Sequence, residues 1–468
     1  MLSAKSEPSP NQEDQQSEKE TRTRRTSAGT CEDGGNDPIN WPRRKKQTMI
    51  GLVMLADVND AMGSSIFAPV VYQVSREFHT SSPSIASLLI SVHVIGYIAG
   101  PLILSPLSEM YGRRPLLHGS NVAFVVATVI CMLSVNIPMI IIGRIFMGLA
   151  GSVPATVGAG VISDLIPVDE RGYAVSLWAN GQLLGIVFGP IIGGYISMNL
   201  GWRWIFRLMA ILSGCSTVLT FLLLRETYSS PKGQAVGSQH GRTGLLVVQE
   251  AISRPCRLFI RSPLVSFISL YGATAYVYMY STMTTFPEIF PDHYGFKLGE
   301  VGLVYLGQGI GFWVAQFFTV WFSNWYPKRR RTHQESMNAE DRLPLLVAGC
   351  CVLAIGMFWY GWSIEGRAHW AILVMGTAVI GIGCLLIFVS VQLYLIDAFL
   401  TYPVSASALA IVIRSVFGAT LPMAMPSLYG LLGHGWGNTV LGCLTLALVP
   451  ILGLISKRGE KLRTSTGL

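Results

Sequence analysis

Two acids, one arginine and a row of glycines are the residues of this chain that could do chemistry. Asp57 and Asp60 stand inside one apolar run, and Arg144 opens another, IGRIFMGLAGSVPATVGAGVISD. Each run is long enough to cross a bilayer. A charge at bilayer depth costs about 2.5–3.5 kcal/mol on insertion scales, so an ionisable residue there is a functional candidate. Helical spacing puts Asp57, Asp60, Ala61 and Ser64 on one face. Such a face should line a polar cavity, where the acids could exchange protons or bind a cationic group. Burial raises a carboxyl pKa and a nearby arginine lowers it, which predicts Asp57 or Asp60 as the proton carrier and Arg144 as its conformation-dependent partner. The plain alternative is a structural ion pair. Gly185, Gly189, Gly193 and Gly194 close a further apolar run, with Pro190 among them. Four-residue glycine spacing lets two helix backbones approach closely, and the proline marks a bend. One helix that handles charge beside one that bends or slides suits a transporter.

These residues need membrane-spanning elements to hold them, and the composition supplies them. Of 468 residues, 51% are hydrophobic and 13% charged, with mean hydropathy +0.47; soluble domains carry about 25% charged residues. The alternating strands of a barrel are absent, so the spans are helices. The expected fold is an all-α polytopic membrane protein with spans near 47–72, 84–107, 116–135, 138–163, 173–198, 204–224, 264–289, 299–323, 343–363, 371–398, 406–428 and 438–456. Each is about the length that a ~30 Å hydrocarbon core requires. The longest connection, 225–263, divides them into six-helix halves at 47–224 and 264–456, the architecture of two repeats about a midplane site. Residues 1–46 read as a disordered cytosolic tail, 225–263 as a cytosolic linker and 457–468 as a short cytosolic tail.

Orientation follows from the basic residues. From Arg43 onward, the two ends and the even-numbered connections hold 22 Lys and Arg, and the odd-numbered connections hold five, Arg76, Arg203, Arg207, Lys297 and Arg367. Positive charge stays inside, so both termini are expected in the cytosol.

Several function classes drop out. The eight cysteines form no CxxC pair, and most lie in apolar runs, where free cysteine packs as a small hydrophobe. No GxxxxGK[ST] phosphate loop occurs, which excludes export driven directly by ATP within this chain. No nucleophile triad or metal cluster is spaced for an enzyme, so neither a cofactor nor a metal is expected.

Between spans 2 and 3 stands Ser105-Pro-Leu-Ser-Glu109-Met-Tyr-Gly112-Arg113-Arg114-Pro115. A tight turn carrying an acid and two arginines suits a switchable latch at the membrane surface. This stretch resembles the loop motif of the major facilitator superfamily, G-x-L-a-D-r-x-G-r-k, departing from it at Ser105, Glu109 and Met110. Arg144-x3-Gly148-x2-Gly151 resembles the family's span-4 motif, whose arginine is implicated in proton coupling. Gly185-x3-Gly189-Pro190-x2-Gly193-Gly194 is similar to its span-5 antiporter motif at every fixed position. Gly201-Trp202-Arg203-Trp204 and Tyr394-Leu-Ile-Asp397-Ala398 look like the fungal twelve-span drug:proton antiporter branch. The resemblance covers roughly residues 41–456 and implies alternating access with gates at Glu109, Gly112, Arg113, Arg114 and the span-5 glycines.

The second half carries fewer charges. Tyr271, Tyr276, Tyr278 and Tyr280 lie too deep in span 7 for all to be interface residues, and Tyr276 and Tyr280 are expected to face the cavity, where rings stack on flat substrates or cations. Ser64, Gln182, Gln308, Gln392 and Arg414 complete the expected lining. A tie between Asp397 and Arg414 is the favoured structural alternative. His93 is read as a packing residue.

The expected function is a proton-coupled transporter that exports drugs, toxins or secondary metabolites. Its partners are then a small-molecule substrate, protons and the lipid bilayer, without nucleic acid, and the chain works as a monomer in the plasma membrane, with the vacuolar membrane as alternative. A polyamine or organic-cation exporter of the same fold is the nearest rival. A transport-dead sensor would need a larger cytosolic domain than the linker allows, and nutrient uptake is disfavoured by the span-5 motif.

Overall fold

The computed structural model describes residues 38–80, 82–166, 171–227, 263–331, 339–398 and 403–465. Most of the expected N-terminal tail, the linker and the last residues lie outside this range, as do the side chains of Glu109 and Asp397.

Helices fall where the apolar runs place them. Span 1 is Arg43–Ser65, continued by the 3-10 turn Ala68–Val70 and the short helix Val71–Glu77. Span 2 is Pro83–Ser91 followed by His93–Tyr111. Spans 3 to 6 are Arg113–Met132, Ile137–Leu165, Arg171–Leu200 and Arg203–Leu223. Spans 7 to 10 are Pro263–Tyr294, Leu298–Arg331, Leu343–Glu365 and Trp370–Ala398. Span 11 is Pro403–Thr420 with the 3-10 turn Leu421–Ala424.

By length and hydropathy alone, ten helices among the described residues could cross a membrane. Two features bring the number to twelve. The stretch Ala408–Gly453 counts once, yet Gly433, at φ 74° and ψ 169°, breaks its helix and separates span 11 from span 12. Pro263–Tyr294 is not among the ten, but it has 32 residues, ample for a crossing at 1.5 Å per residue.

Packing within the two halves repeats. Span 1 packs on spans 4 and 5, span 2 on span 4, and span 3 on spans 4 and 6. Six positions along the chain the same pairs recur: span 7 on spans 10 and 11, span 8 on span 10, and span 9 on spans 10 and 12. Span 5 meets span 8, and span 2 meets span 11, where the halves join.

Both described chain ends lie on one face of the bundle, here the terminal face. Away from it, the halves are held together. The turn Ala68–Val70 touches spans 7 and 8, and Pro83–Ser91 touches spans 7 and 11 and the turn Leu421–Ala424. Three hydrogen bonds cross there: Tyr72 to Glu288 at 3.2 Å, Ser64 with Tyr280 at 2.8 Å, and Ser91 to the Ala419 carbonyl at 3.1 Å.

Candidate functional site

Span 4 builds the site through three residues on one helical face. Arg144 is fully buried and donates to three backbone carbonyls: Gly63 at 3.3 Å, Ser64 at 3.0 Å and Ile90 at 3.3 Å. These carbonyls precede the interruptions after Ser65 and Ser91 in spans 1 and 2. Its guanidinium also lies 4.9 Å from the centre of the Phe67 ring, a favourable cation–π contact. One turn on, Gly148 leaves room for the span 2 backbone at His93, and a Cβ there would overlap the His93 carbonyl oxygen. Gly151 does the same for a side chain, since a Cβ at 151 would overlap the Asp60 carboxylate. The spacing read in the sequence as close helix packing therefore also cuts a recess for an acid.

Asp60 fills that recess with two partners. His93 Nε2 lies 3.1 Å from Oδ1, and the Tyr97 hydroxyl donates to Oδ2. Asp60 is 2% exposed and His93 is fully buried. The other ring nitrogen of His93, Nδ1, has no hydrogen-bond partner. Asp57, one turn earlier, is 4% exposed. Trp178 of span 5 faces it.

The expected pair between Arg144 and the acids is not formed in this structure: the guanidinium is spent on carbonyls. The acid's partners come instead from span 2, where His93 was expected only to pack. Depth could have pointed to it. His93 lies ten residues into span 2, about 15 Å from the end away from the termini, deep enough to reach an acid buried inside span 1.

The second half meets this cluster with rings and hydroxyls. The four deep tyrosines of span 7 divide by face. Tyr271 and Tyr278 point at span 12, each donating at 2.6 Å to a backbone carbonyl, Leu448 and Leu441. Tyr276 and Tyr280 turn toward the first half, their rings 5.0 Å apart, with Tyr280 joined to Ser64. The half-buried Arg414 lies 5.2 Å from the Tyr276 ring and 5.8 Å from Phe388. Gln308 is 2% exposed; its carbonyl accepts from Thr282 at 3.4 Å and its amide nitrogen has no partner. Gln182 and Gln392 are half-buried on spans 5 and 10.

Span 5 is pressed between spans 1 and 8 by its glycines. A Cβ at Gly185 would come 2.6 Å from Ala61 and from the Val58 carbonyl, and one at Gly193 would overlap the Ile66 carbonyl. Gly189 faces Ser65 across the same seam, while Gly194 faces the Leu298 carbonyl of span 8. The Pro190 carbonyl meets Gly302 of span 8.

At the terminal face, Gly112 adopts φ +93°, which lets span 2 turn directly into span 3. Arg113 donates to Ser108 at 2.5 Å and to Asp164 at 3.5 Å, and Arg114 donates to His118 at 3.2 Å. The acid described at this turn is Glu226, beyond span 6. Its two oxygens accept from the backbone N–H groups of Arg113 at 3.0 Å and Arg114 at 3.1 Å. A carboxylate on a helix N-terminus satisfies free donors and complements the helix dipole. The sequence pointed to Glu109 as the latch acid and not to Glu226, whose partners are backbone N–H groups.

Three comparisons bear on this arrangement. The family profile described as Major Facilitator Superfamily matches residues 53–422. Among curated proteins, the chain is 37% identical to the MFS-type transporter hepF of Aspergillus oryzae, over 92% of this chain and 93% of the relative. It is 40% identical to the MFS-type transporter tndD of Aspergillus flavipes (92% and 84%) and 37% identical to the efflux pump radE of Floropilus chiversii (92% and 84%). Among solved structures, the xylose transporter XylE of E. coli in a partially occluded inward-open conformation superposes with TM-score 0.66 at 17% identity, over 87% of this chain and 97% of that one. A bacterial homologue of the human lysosomal transporter Spinster gives 0.59 at 14% identity (91% and 99%).

Proposed function

The chain belongs to the major facilitator superfamily, and within it we propose a proton-coupled exporter of small organic compounds working by alternating access. It is a transporter and not an enzyme. The observation that carries the coupling is the Asp60 cluster: a buried carboxyl held by a histidine and a tyrosine, with an arginine nearby that is tied to carbonyls. Asp60 is the proton carrier in this reading. With the halves closed away from the terminal face, Arg144 holds spans 1 and 2 and leaves Asp60 to His93 and Tyr97. Rocking the halves apart at that end breaks the Ser64–Tyr280 and Tyr72–Glu288 contacts and changes what Arg144 faces. A carboxyl's proton affinity follows its charged neighbours, so this motion couples proton loss to the return of the cavity. Tyr276, Tyr280, Phe388 and Arg414 form the substrate wall. Export as the direction is supported by the likeness to a relative named as an efflux pump, and secondary metabolites are the cargo class that the resemblance to the fungal antiporter branch implies.

Asp57 favours a second reading, since no cationic side chain pairs with it among the described residues. A cationic substrate could be that partner, with the Tyr276 and Tyr280 rings beside it.

The test is efflux from sealed vesicles under an imposed pH gradient for Asp57→Asn, Asp60→Asn and the double variant. Asp60→Asn reduces gradient-driven efflux to background and Asp57→Asn weakens it; a double variant that still couples places the proton site elsewhere. The terminal face is cytosolic in this proposal. A C-terminal tag in intact cells should accordingly resist antibody until the membrane is permeabilised, and labelling from outside would reverse the orientation.

A further inference from the structure

Behind Asp60, on the side away from the second half, spans 1, 3, 4 and 6 enclose a cavity of about 10 Å³ open to the centre of a water-sized sphere. That is room for a single water, which needs two to four polar partners to settle. The walls offer them: Asn59 and Asp60 from span 1, Asn121 from span 3, and Ser213, Ser216 and Thr217 from span 6. The Ser216 hydroxyl is buried, the residue being 3% exposed, and it has no hydrogen-bond partner in the protein. An unpaired buried hydroxyl is destabilising, and a bound water removes that cost.

The cavity does not stand alone. Toward the terminal face, Asn121 donates to Thr220 at 3.0 Å, closing the cavity on that side. One turn further along span 3 is His118, stacked on Phe221 at 4.2 Å and bonded to Arg114 at the membrane turn. Its Nδ1 is buried without a partner. Polar groups therefore line one seam between spans 3 and 6 from the turn to Asp60.

We propose that this seam is a proton route: the cavity binds one water, and Asp60 exchanges its proton with the terminal face through that water and the Asn121–Thr220 gate. The substrate, in contrast, moves between the halves. In release, the Asp60 O–H bond breaks as the water takes the proton. The water then passes a proton on toward His118 and the solvent, and Asp60 is left as carboxylate. The proposal rests on Asp60 being the proton carrier.

Two measurements on the purified full-length protein test it, with water as the probe. In radiolytic footprinting in ¹⁸O-labelled water, the cavity wall Phe124, 5% exposed, should take up label at least about tenfold faster than Phe206, which is fully buried and is not part of this cavity's wall. Ser216→Val, which fills the cavity, should remove the excess. Equal labelling of Phe124 and Phe206 in the wild type overturns the water site. In infrared spectra, the carboxylic band lost in Asp60→Asn should exchange quickly on transfer to D₂O, and at least about tenfold more slowly in Ser216→Val and in Asn121→Leu. Ser216→Ala, which keeps room for the water, should exchange within about threefold of wild type. Unchanged exchange in the two filled variants overturns the route. The absence of any band belonging to Asp60 at every pH overturns instead the reading of Asp60 as carrier. Asn121→Leu stands as the independent variant if Ser216→Val does not fold.

Discussion

The two halves share one packing scheme and divide the chemistry unequally. Arg144 is the eighth residue of the span 4 helix, and the eighth residue of the span 10 helix is Thr377. Asp60 is the eighteenth residue of the span 1 helix, and the eighteenth of span 7 is Tyr280. Where the first half buries a guanidinium and a carboxylate, the second buries hydroxyls at the same stations. Thr377 merely returns its hydroxyl to Val374 at 2.7 Å, while Tyr280 bonds across to Ser64. The second half pairs several of its polar groups internally: Thr285 with Tyr360 at 2.9 Å, Tyr278 with Thr445 at 3.0 Å, Tyr429 with Asn438 at 3.2 Å. Hydroxyl pairs of this kind rigidify a core without responding to protons near neutral pH, because tyrosine and threonine do not titrate there. In the proposed function, this asymmetry leaves one half of the repeat fold to read protons and the other to read the cargo.

The largest effect should come from exchanging the two stations. Arg144→Gln strips three buried carbonyls of their donor, each costing about 1–3 kcal/mol, and transport should fall to background. Arg144→Lys should not restore it, since one ammonium lacks the planar fork. Thr377→Val, at the matching place, should leave efflux within about twofold, there being only a local hydroxyl bond of about 1 kcal/mol to lose. A tolerant Arg144→Gln would break the comparison at its root.

The glycines sharpen it next. Gly193→Leu should stop transport while the protein still inserts, because Ile66 occupies the space its side chain needs. In the second half, a Cβ at Gly272 meets Val391 at 3.7 Å, ordinary contact. Gly272→Ala should therefore be neutral or stabilise by up to about 1 kcal/mol through helix propensity, read as a melting shift with unchanged efflux. A smaller effect than that of Gly193→Leu is expected at one of the bonds that join the halves. Tyr280→Phe removes about 0.5–1.5 kcal/mol, shifting the conformational balance roughly two- to tenfold. Thiol labelling of Ala68→Cys, in the buried turn that touches spans 7 and 8, should rise accordingly, and an unchanged rate would mean that the bond does not hold the halves.

Sequence periodicity carried much of this fold. Apolar runs of spanning length gave the helices, and the Gly185 to Gly194 row marked a close seam, because both are repeats along one helix. Contacts between helices were less legible. Asp60 stood out as an acid at depth, but that His93 and Tyr97 would be its partners depends on the rotation of span 2 about its axis, which His93 fixes only once Gly148 is known to lie against it. Tyr271 and Tyr276 looked alike in sequence; five residues apart on a helix, they face different neighbours. Glu226 was missed for a similar reason, since its partners are backbone N–H groups of another span and leave no trace in side-chain pattern. The seam from His118 to Ser216 is spread over two spans, and no residue in it draws attention alone.

The hold of Arg144 on Gly63, Ser64 and Ile90 also bears on how the chain is made. Spans enter the membrane in order of synthesis, and an arginine entering hydrocarbon alone pays about 2.5–3.5 kcal/mol. Here its three acceptors belong to spans 1 and 2, which are threaded first. By the time span 4 leaves the insertion machinery, the carbonyls freed by the two helix interruptions are already in the bilayer, waiting for a donor. The order of the genetic message thus spares each nascent copy a stranded cation, and a circularly permuted chain beginning at span 4 would lose that protection while keeping every contact of the finished fold.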